Sequence, residues 1–278
     1  MIEDILVCLE GSASSACAID AAIGLGRQLR ARLAGLAIVD EPDIRAGEPT
    51  GIGGSSYKAQ RDEALLADAH RHAQAWLDGF AQRCRDAGLT AQTLELEGRP
   101  VETIVRQMQR YDLTVMGRDV NFRFETHDRD RYTRDMVLRR SGKPMLVVPD
   151  APAPSGSGAL IAWDGSTAAR RALEAFAASG LAEGRELHVV AVDDDGATAW
   201  DMATRGVQLL RAHDLDARVH NVVSLLPVAG AILEQRDKLG AGLVVLGAYV
   251  PSRLTRWLWG SVTHEIVEKA PVPLFLHY

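Results

Sequence analysis

Ile5-Leu-Val-Cys-Leu-Glu10-Gly11-Ser12 and Leu160-Ile-Ala-Trp-Asp164-Gly165-Ser166 describe one local structure twice in a 278-residue chain. Each is a short apolar run, then an acid, a glycine and a serine, then an amphipathic segment. The run reads as a buried strand. The serine reads as a helix cap, because its hydroxyl can accept from a free N–H in the first turn. Ile19, Ala22, Ile23 and Leu25 share one side of the first helix; Ala172, Leu173 and Phe176 share one side of the second.

The echo continues downstream. Leu33–Val39 and Leu187–Val192 read as buried strands running into acidic turns. Pro100–Val105 leads by helix to the strand Leu113–Gly117, and Pro227–Leu233 leads likewise to Leu243–Ala248. Each half closes on a Pro-led strand, Lys143–Val148 and Val272–Leu276. Pro, Gly and Ser between Pro149 and Gly158 mark a linker. The expected division is a first domain over residues 1–149, a linker over 150–158 and a second domain over 159–278. Strands alternating with helices imply an α/β fold with a parallel sheet covered on both faces. In such sheets ligands bind beyond the C-terminal strand ends, at a topological switch point.

Composition narrows the function classes. Hydrophobic residues make up 47% of the chain, enough for a substantial core and against global disorder. The net charge of -6 argues against a general nucleic-acid binder. Three cysteines without a Cys-x-x-Cys pair read as reduced thiols, and no apolar run reaches the length of a membrane span. With no leader pattern ahead of Ile5, the expectation is a soluble cytoplasmic protein.

The most chemical stretch is Gly247-Ala-Tyr-Val250-Pro-Ser-Arg253-Leu-Thr-Arg256-Trp-Leu-Trp-Gly260-Ser261-Val262-Thr263. It joins the apolar run Leu243–Leu246 to a helical pattern over His264–Lys269. Free N–H groups and the dipole at a helix start favour an anion, and Gly260 permits close approach of backbone. The same spacing also suits an ordinary capped joint between strand and helix.

Together these residues resemble the universal stress protein family in its tandem, two-domain form, over nearly the whole chain. The family's phosphate signature is Gly, two residues, Gly, nine residues, Gly, then Ser or Thr. Here Gly247, Val250 and Gly260-Ser261 stand at those places. The resemblance implies two five-stranded, mostly parallel sheets of the adenine-nucleotide alpha hydrolase-like, Rossmann-like kind. It implies ATP or AMP as ligand, with Mg²⁺ as an optional companion. By matching position, Ala162 and Asp164 would line the adenosine end, with Asp164 accepting from the ribose. Val192 would lie beside adenine. Gly247, Gly260, Ser261, Val262 and Thr263 would surround the phosphates. Val250 departs from the signature, since valine is unfavourable where a glycine has positive φ. Arg253 and Arg256 could compensate by reaching phosphate oxygens.

The first half departs further. Glu10 replaces the acid Asp164, and Arg131 and Tyr132 fall where Gly260 and Ser261 stand. A lost phosphate site and a structural or regulatory role are expected there. Other clusters read more plainly. His127–Asp130 is a charged loop, His70 and His72 do not share a helix face, and Asp193–Asp195 is a turn that could instead hold Mg²⁺. Gly47–Gly54 reads as a loop ahead of a helix near Tyr57–Arg85. Trp257 and Trp259 could stack on a ligand, or serve packing or an oligomer contact.

Three functions stay open: a non-catalytic nucleotide-binding stress protein, a nucleotide-independent regulator or scaffold, and a slow ATP hydrolase or nucleotidyl transferase. No Walker lysine, water-positioning base or nucleophile constellation supports the last. The resemblance also implies that the closing strands near Met145–Val148 and Leu274–Leu276 are association edges. The halves should then pack as a pseudo-dimer. A homodimer of chains and an unidentified protein partner complete the expectation.

Overall fold

The computed structural model describes residues 1–46, 55–122, 133–151, 156–224, 227–248 and 261–278. The first half runs β1 (Asp4–Cys8), α1 (Ala13–Leu29), β2 (Arg32–Val39), α2 (Glu41–Ile44), α3 (Ser55–Asp86), β3 (Ala91–Glu97), α4 (Pro100–Met108), β4 (Leu113–Gly117), α5 (Thr133–Ser141) and β5 (Met145–Val148). The second runs β6 (Gly158–Ala162), α6 (Thr167–Ser179), β7 (Leu187–Asp193), α7 (Gly196–Arg211), β8 (Arg218–Val223), α8 (Val228–Leu239), β9 (Ala241–Gly247), α9 (Ser261–Lys269) and β10 (Leu274–His277).

The acid-Gly-Ser turns form as their chemistry dictates. Gly11 and Gly165 take φ of +82° and +74°, a conformation that favours glycine. The chain can then turn sharply, and Ser12 and Ser166 accept from the N–H of Ser15 and Ala169, each at 3.1 Å. Both helices therefore start directly above the strand that precedes them.

All ten strands join one sheet in the order β3-β2-β1-β4-β5-β10-β9-β6-β7-β8. Pairing is parallel within each half. It is antiparallel at the seam, where Leu274 faces Val147 and Leu276 faces Met145. The two closing strands thus consume each other's edges within the chain, as the pseudo-dimer expectation required. A homodimer of whole chains would have to use other surfaces. Helices α1, α3, α6 and α7 cover one face and α4, α5, α8 and α9 the other, each over a buried apolar layer. In both halves the first strand lies between the second and the fourth. The switch points are therefore the β1/β4 and β6/β9 boundaries.

The periphery adds edge strands that the repeat did not show, and the helix expected near Tyr57–Arg85 is present as α3. The edge strands β3 and β8 carry mixed, half-exposed side chains and lack the apolar run that marks the inner strands. Helix α3 spans 32 residues, whereas its counterpart α7 spans 16.

Candidate functional site

At the C-terminal ends of β6, β7 and β9 the sheet opens into a cavity of about 310 Å³. Its floor follows from strand alternation. Leu160, Ala162, Val190, Val192 and Leu246 share the face that α8 and α9 cover. The helices supply the walls, with Val228 and Ile232 from α8 and Val262, Thr263 and Ile266 from α9. Asp164, Ser166 and Gly247 add a polar rim at the β6/β9 switch point. The result is an apolar slot with a few polar groups at one end, the usual composition of a small-molecule site.

The rim groups are already organised. The Asp164 carboxylate accepts from the Ser166 N–H at 2.9 Å while the residue stays exposed. Thr263, itself buried, donates its hydroxyl to the Gly247 carbonyl at 3.4 Å and ties the start of α9 to the end of β9. Gly247 has a packing reason to be glycine. A Cβ there would strike the backbone of Ala168 and Ala169 in the first turn of α6. Gly117 is placed identically against Ser14 of α1.

Six of the residues singled out from sequence, Ala162, Asp164, Val192, Gly247, Val262 and Thr263, converge on this cavity. Of Ser261 only the backbone is described, at the start of α9. Val250, Arg253, Arg256, Trp257, Trp259 and Gly260 lie outside the described residues, as do Arg131, Tyr132, the charged loop His127–Asp130 and the glycine-rich loop Gly47–Gly54. Sequence reading missed the apolar lining: Trp163, Ala169, Val190, Val228, Ile232 and Ile266. The alternation of Val190 with Val192 and the i, i+4 spacing of Val228 and Ile232 were the available signals. Asp193 and Asp195 serve their own turn. Asp193 accepts from the Asp195 N–H at 2.9 Å, and Asp195 caps α7 through Thr198. Among the described residues no group of three His, Cys, Asp or Glu is placed to hold a metal.

Among the described residues, the equivalent crevice of the first half is taken up by the chain itself. After β4 the chain turns back so that Val120 and Phe122 are buried in the layer that contains Cys8, Ile38 and Met116. The Asp119 N–H reaches the Ser14 hydroxyl at 3.3 Å. Burial pushes the Glu10 carboxyl above its ordinary value, against hydrogen bonds from Ser12 and the Asn121 N–H that pull it down. The carboxyl is thus turned into its own chain, with Oε1 buried and without a hydrogen-bond partner among the described residues. A hollow of about 420 Å³ in this half lies farther out between α2, α4 and α5, against Asp40, Arg99, Glu102 and Arg140. It touches neither Glu10 nor Gly117.

Counting back from the prolines before β5 and β10 puts Arg134 where Thr263 stands in the second half. Its side chain is 1% exposed. The guanidinium donates to Asp135 at 2.7 Å, to the Arg118 carbonyl at 2.5 Å and, across the seam, to Glu268 of α9 at 2.8 Å. Arg118 in turn donates to the Glu268 carbonyl at 3.1 Å and pairs with Asp150. A position that lines the cavity in one half is thus a tie between halves in the other.

Comparison with known proteins agrees with this architecture. The chain is 22% identical to a universal stress protein of Synechocystis sp. over 98% of its own length and 99% of the relative's. The crystal structure of a universal stress protein from Archaeoglobus fulgidus superposes with a TM-score of 0.72 at 21% identity, covering 99% of this chain and 97% of that one. A protein of unknown function from Pseudomonas aeruginosa PAO1 gives a TM-score of 0.57 at 17% identity, over 99% and 92%. The model of the universal stress protein family matches twice, at residues 1–149 and 159–276. With the model covering both halves, this chain belongs to the universal stress protein family.

Proposed function

We propose that the protein is a non-catalytic regulator that binds an adenine nucleotide, ATP or AMP, in its second half. One observation carries this reading: the open cavity at the β6/β9 switch point, with an apolar floor for a flat base and Asp164 at the rim for a ribose. The start of α9, lined by Val262 and Thr263, faces the same space and presents the positive end of a helix dipole. Mg²⁺, if it accompanies ATP, would be held chiefly by the phosphates. No reactive constellation accompanies the cavity among the described residues. The hydrogen bonds of Asp164 and Thr263 run to backbone groups, to the Ser166 N–H and the Gly247 carbonyl, and pair neither with a nucleophile or base. A bound nucleotide would therefore act by favouring one conformation or partner surface over another. The same reading has the protein working in the cytoplasm. Among the described residues no helix is long and apolar enough to cross a membrane.

Calorimetric titration of nucleotide-stripped protein tests the proposal. ATP or AMP should bind the wild type. Ala162→Leu, which fills the floor, should abolish binding, and Asp164→Ala should weaken it about tenfold, equivalent to ~1.4 kcal/mol. Glu10→Gln, in the filled half, should leave affinity unchanged. Absence of binding at millimolar nucleotide would leave the nucleotide-independent scaffold as the reading. Robust ATP turnover lost in Asp164→Ala would restore the enzyme.

A further inference from the structure

A second hollow, about 630 Å³, lies on the seam between the halves. Antiparallel pairing sets Leu276 opposite Met145, so the turn from α5 into β5 lies beside the end of β10. Phe275 is buried on the α6 face, and His277, two residues on, points to that same side. Arg139 and Arg140 line the hollow from α5, with Arg140 also bordering the first-half hollow, Arg171 and Glu174 line it from α6, and His277 and Tyr278 from the end of β10. Each half contributes, so the hollow exists only because the two are docked in this way.

Its charge is one-sided. Arg140, Arg171 and the His277 imidazole meet a single side-chain carboxylate in the lining, Glu174, which already pairs with Arg170 at 2.8 Å. The His277 Nδ1 is buried and has no hydrogen-bond partner. Burial holds this imidazole below its ordinary value, opposed by a hydrogen bond with the Tyr278 backbone and reinforced by the charge of Arg171. Offsetting the dipole of α5 explains Arg139 and Arg140, which stand in its last turn. It does not explain Arg171, which comes from the interior of another helix. The last carbonyl of α5, on Ser141, is moreover already met by Gln109 at 3.1 Å. In a chain of net charge -6, Arg140 and Arg171 converging from two helices on one hollow favour an anion.

We propose that this seam hollow binds a short oligophosphate, held by Arg140 and Arg171 from opposite halves with His277 beneath. Guanidinium forks match phosphate oxygens two at a time, and forks on different helices suit a chain of phosphates better than one carboxylate. A bound anion places a negative charge beside His277 and draws a proton onto it. It also bridges α5 to α6 and so strengthens the seam.

Sodium tripolyphosphate titrated into the full chain at low ionic strength is the test, read by calorimetry and by the His277 imidazole resonance. The wild type should bind, and the His277 titration midpoint should rise. The double variant Arg140→Ala/Arg171→Ala should bind at least tenfold more weakly while keeping its melting temperature, since both side chains are exposed. Adenosine, which lacks phosphate, should leave His277 unmoved, whereas ATP should move it only if its phosphates reach the seam. No binding of tripolyphosphate, equal binding by the double variant, or an unmoved His277 would each overturn the proposal. The site is separate from the nucleotide cavity, so it stands or falls whatever that cavity binds.

Discussion

The two halves solve one packing problem with opposite choices of size. In the first, Phe80 of α3 lies over Gly35 of β2, beside Leu9; a Cβ on that glycine would stand 2.5 Å from the ring. In the second, the small residue is on the helix. Gly206 of α7 leaves room for Val189 and Trp163, which would lie 2.8 Å and 3.1 Å from an added Cβ. The layer is filled either way, so the core does not reveal which half carries a site. The difference lies at the strand ends, where Val120 and Phe122 are buried in one half and a cavity remains in the other. What the halves share at those ends serves the fold, and what differs is the better guide to function. The largest expected effect tests this directly. Gly247→Val and Gly117→Val each push a side chain into the first turn of the helix above, and each should cost about 3 kcal/mol in chemical denaturation. If Gly117→Val were tolerated and Gly247→Val were not, the glycine at 247 would be doing something that the repeat does not explain.

Next in size is the tie that replaces a site residue. Arg134→Met removes the buried cation that joins α5 to Glu268 on α9. Removing one partner of a buried pair costs several kcal/mol, but Glu268 is 31% exposed and can be rehydrated, so about 2 kcal/mol is expected. The loss should appear at the seam, as faster hydrogen exchange in β5 and β10 than in β2 or β7. Thr263→Val, at the matching position, should leave seam exchange unchanged. Equal exchange in the Arg134→Met protein and the wild type would mean that the strand pairing alone holds the halves together.

The repeat made most of this fold legible, because buried parallel strands are apolar runs and acid-Gly-Ser turns have one good geometry. Strands β3 and β8 were hidden because an edge strand faces water and its sequence, as in Ala91–Glu97, loses the apolar signature. At the site, Asp164, Gly247 and Thr263 could be read because polar residues and glycines at strand ends stand out. Val228 and Ile266 could not, since a cavity-lining aliphatic looks like any core residue until the helices are placed. The filling of the first half was expected from the bulk of Arg131 and Tyr132, yet the described filling comes from Val120 and Phe122. Their burial depends on the path of the chain after β4, which no local pattern specifies. Arg134 was equally unreadable, since its partner Glu268 lies far along the sequence in the other half.

The edge strands differ in one last respect, which sets the smallest effect. In the first half His70 of α3 sits between the carboxylates of Glu95 at 2.5 Å and Glu97 at 3.3 Å on β3. In the second, His188 of β7 and His220 of β8 meet nitrogen to nitrogen at 3.0 Å. The charged neighbours there are Glu186, 4.0 Å from His188, and Arg218, which pairs with Glu186 at 2.6 Å. Burial lowers both imidazoles from 6.5, with the cation of Arg218 adding to the effect and Glu186 opposing it. Both rings are therefore neutral in the fold, and as pH falls the unfolded chain takes up protons first. The pair's contribution is fully present above about pH 6.5 and is lost as pH falls through the depressed folded values. Acid should thus loosen β8 before β3. Hydrogen exchange at pH 7 and pH 5, corrected for intrinsic rates, should show protection falling in β7 and β8 and holding in β2 and β3. His188→Gln should flatten the difference. Uniform loss across both edges would show that the two His arrangements do not distinguish the halves.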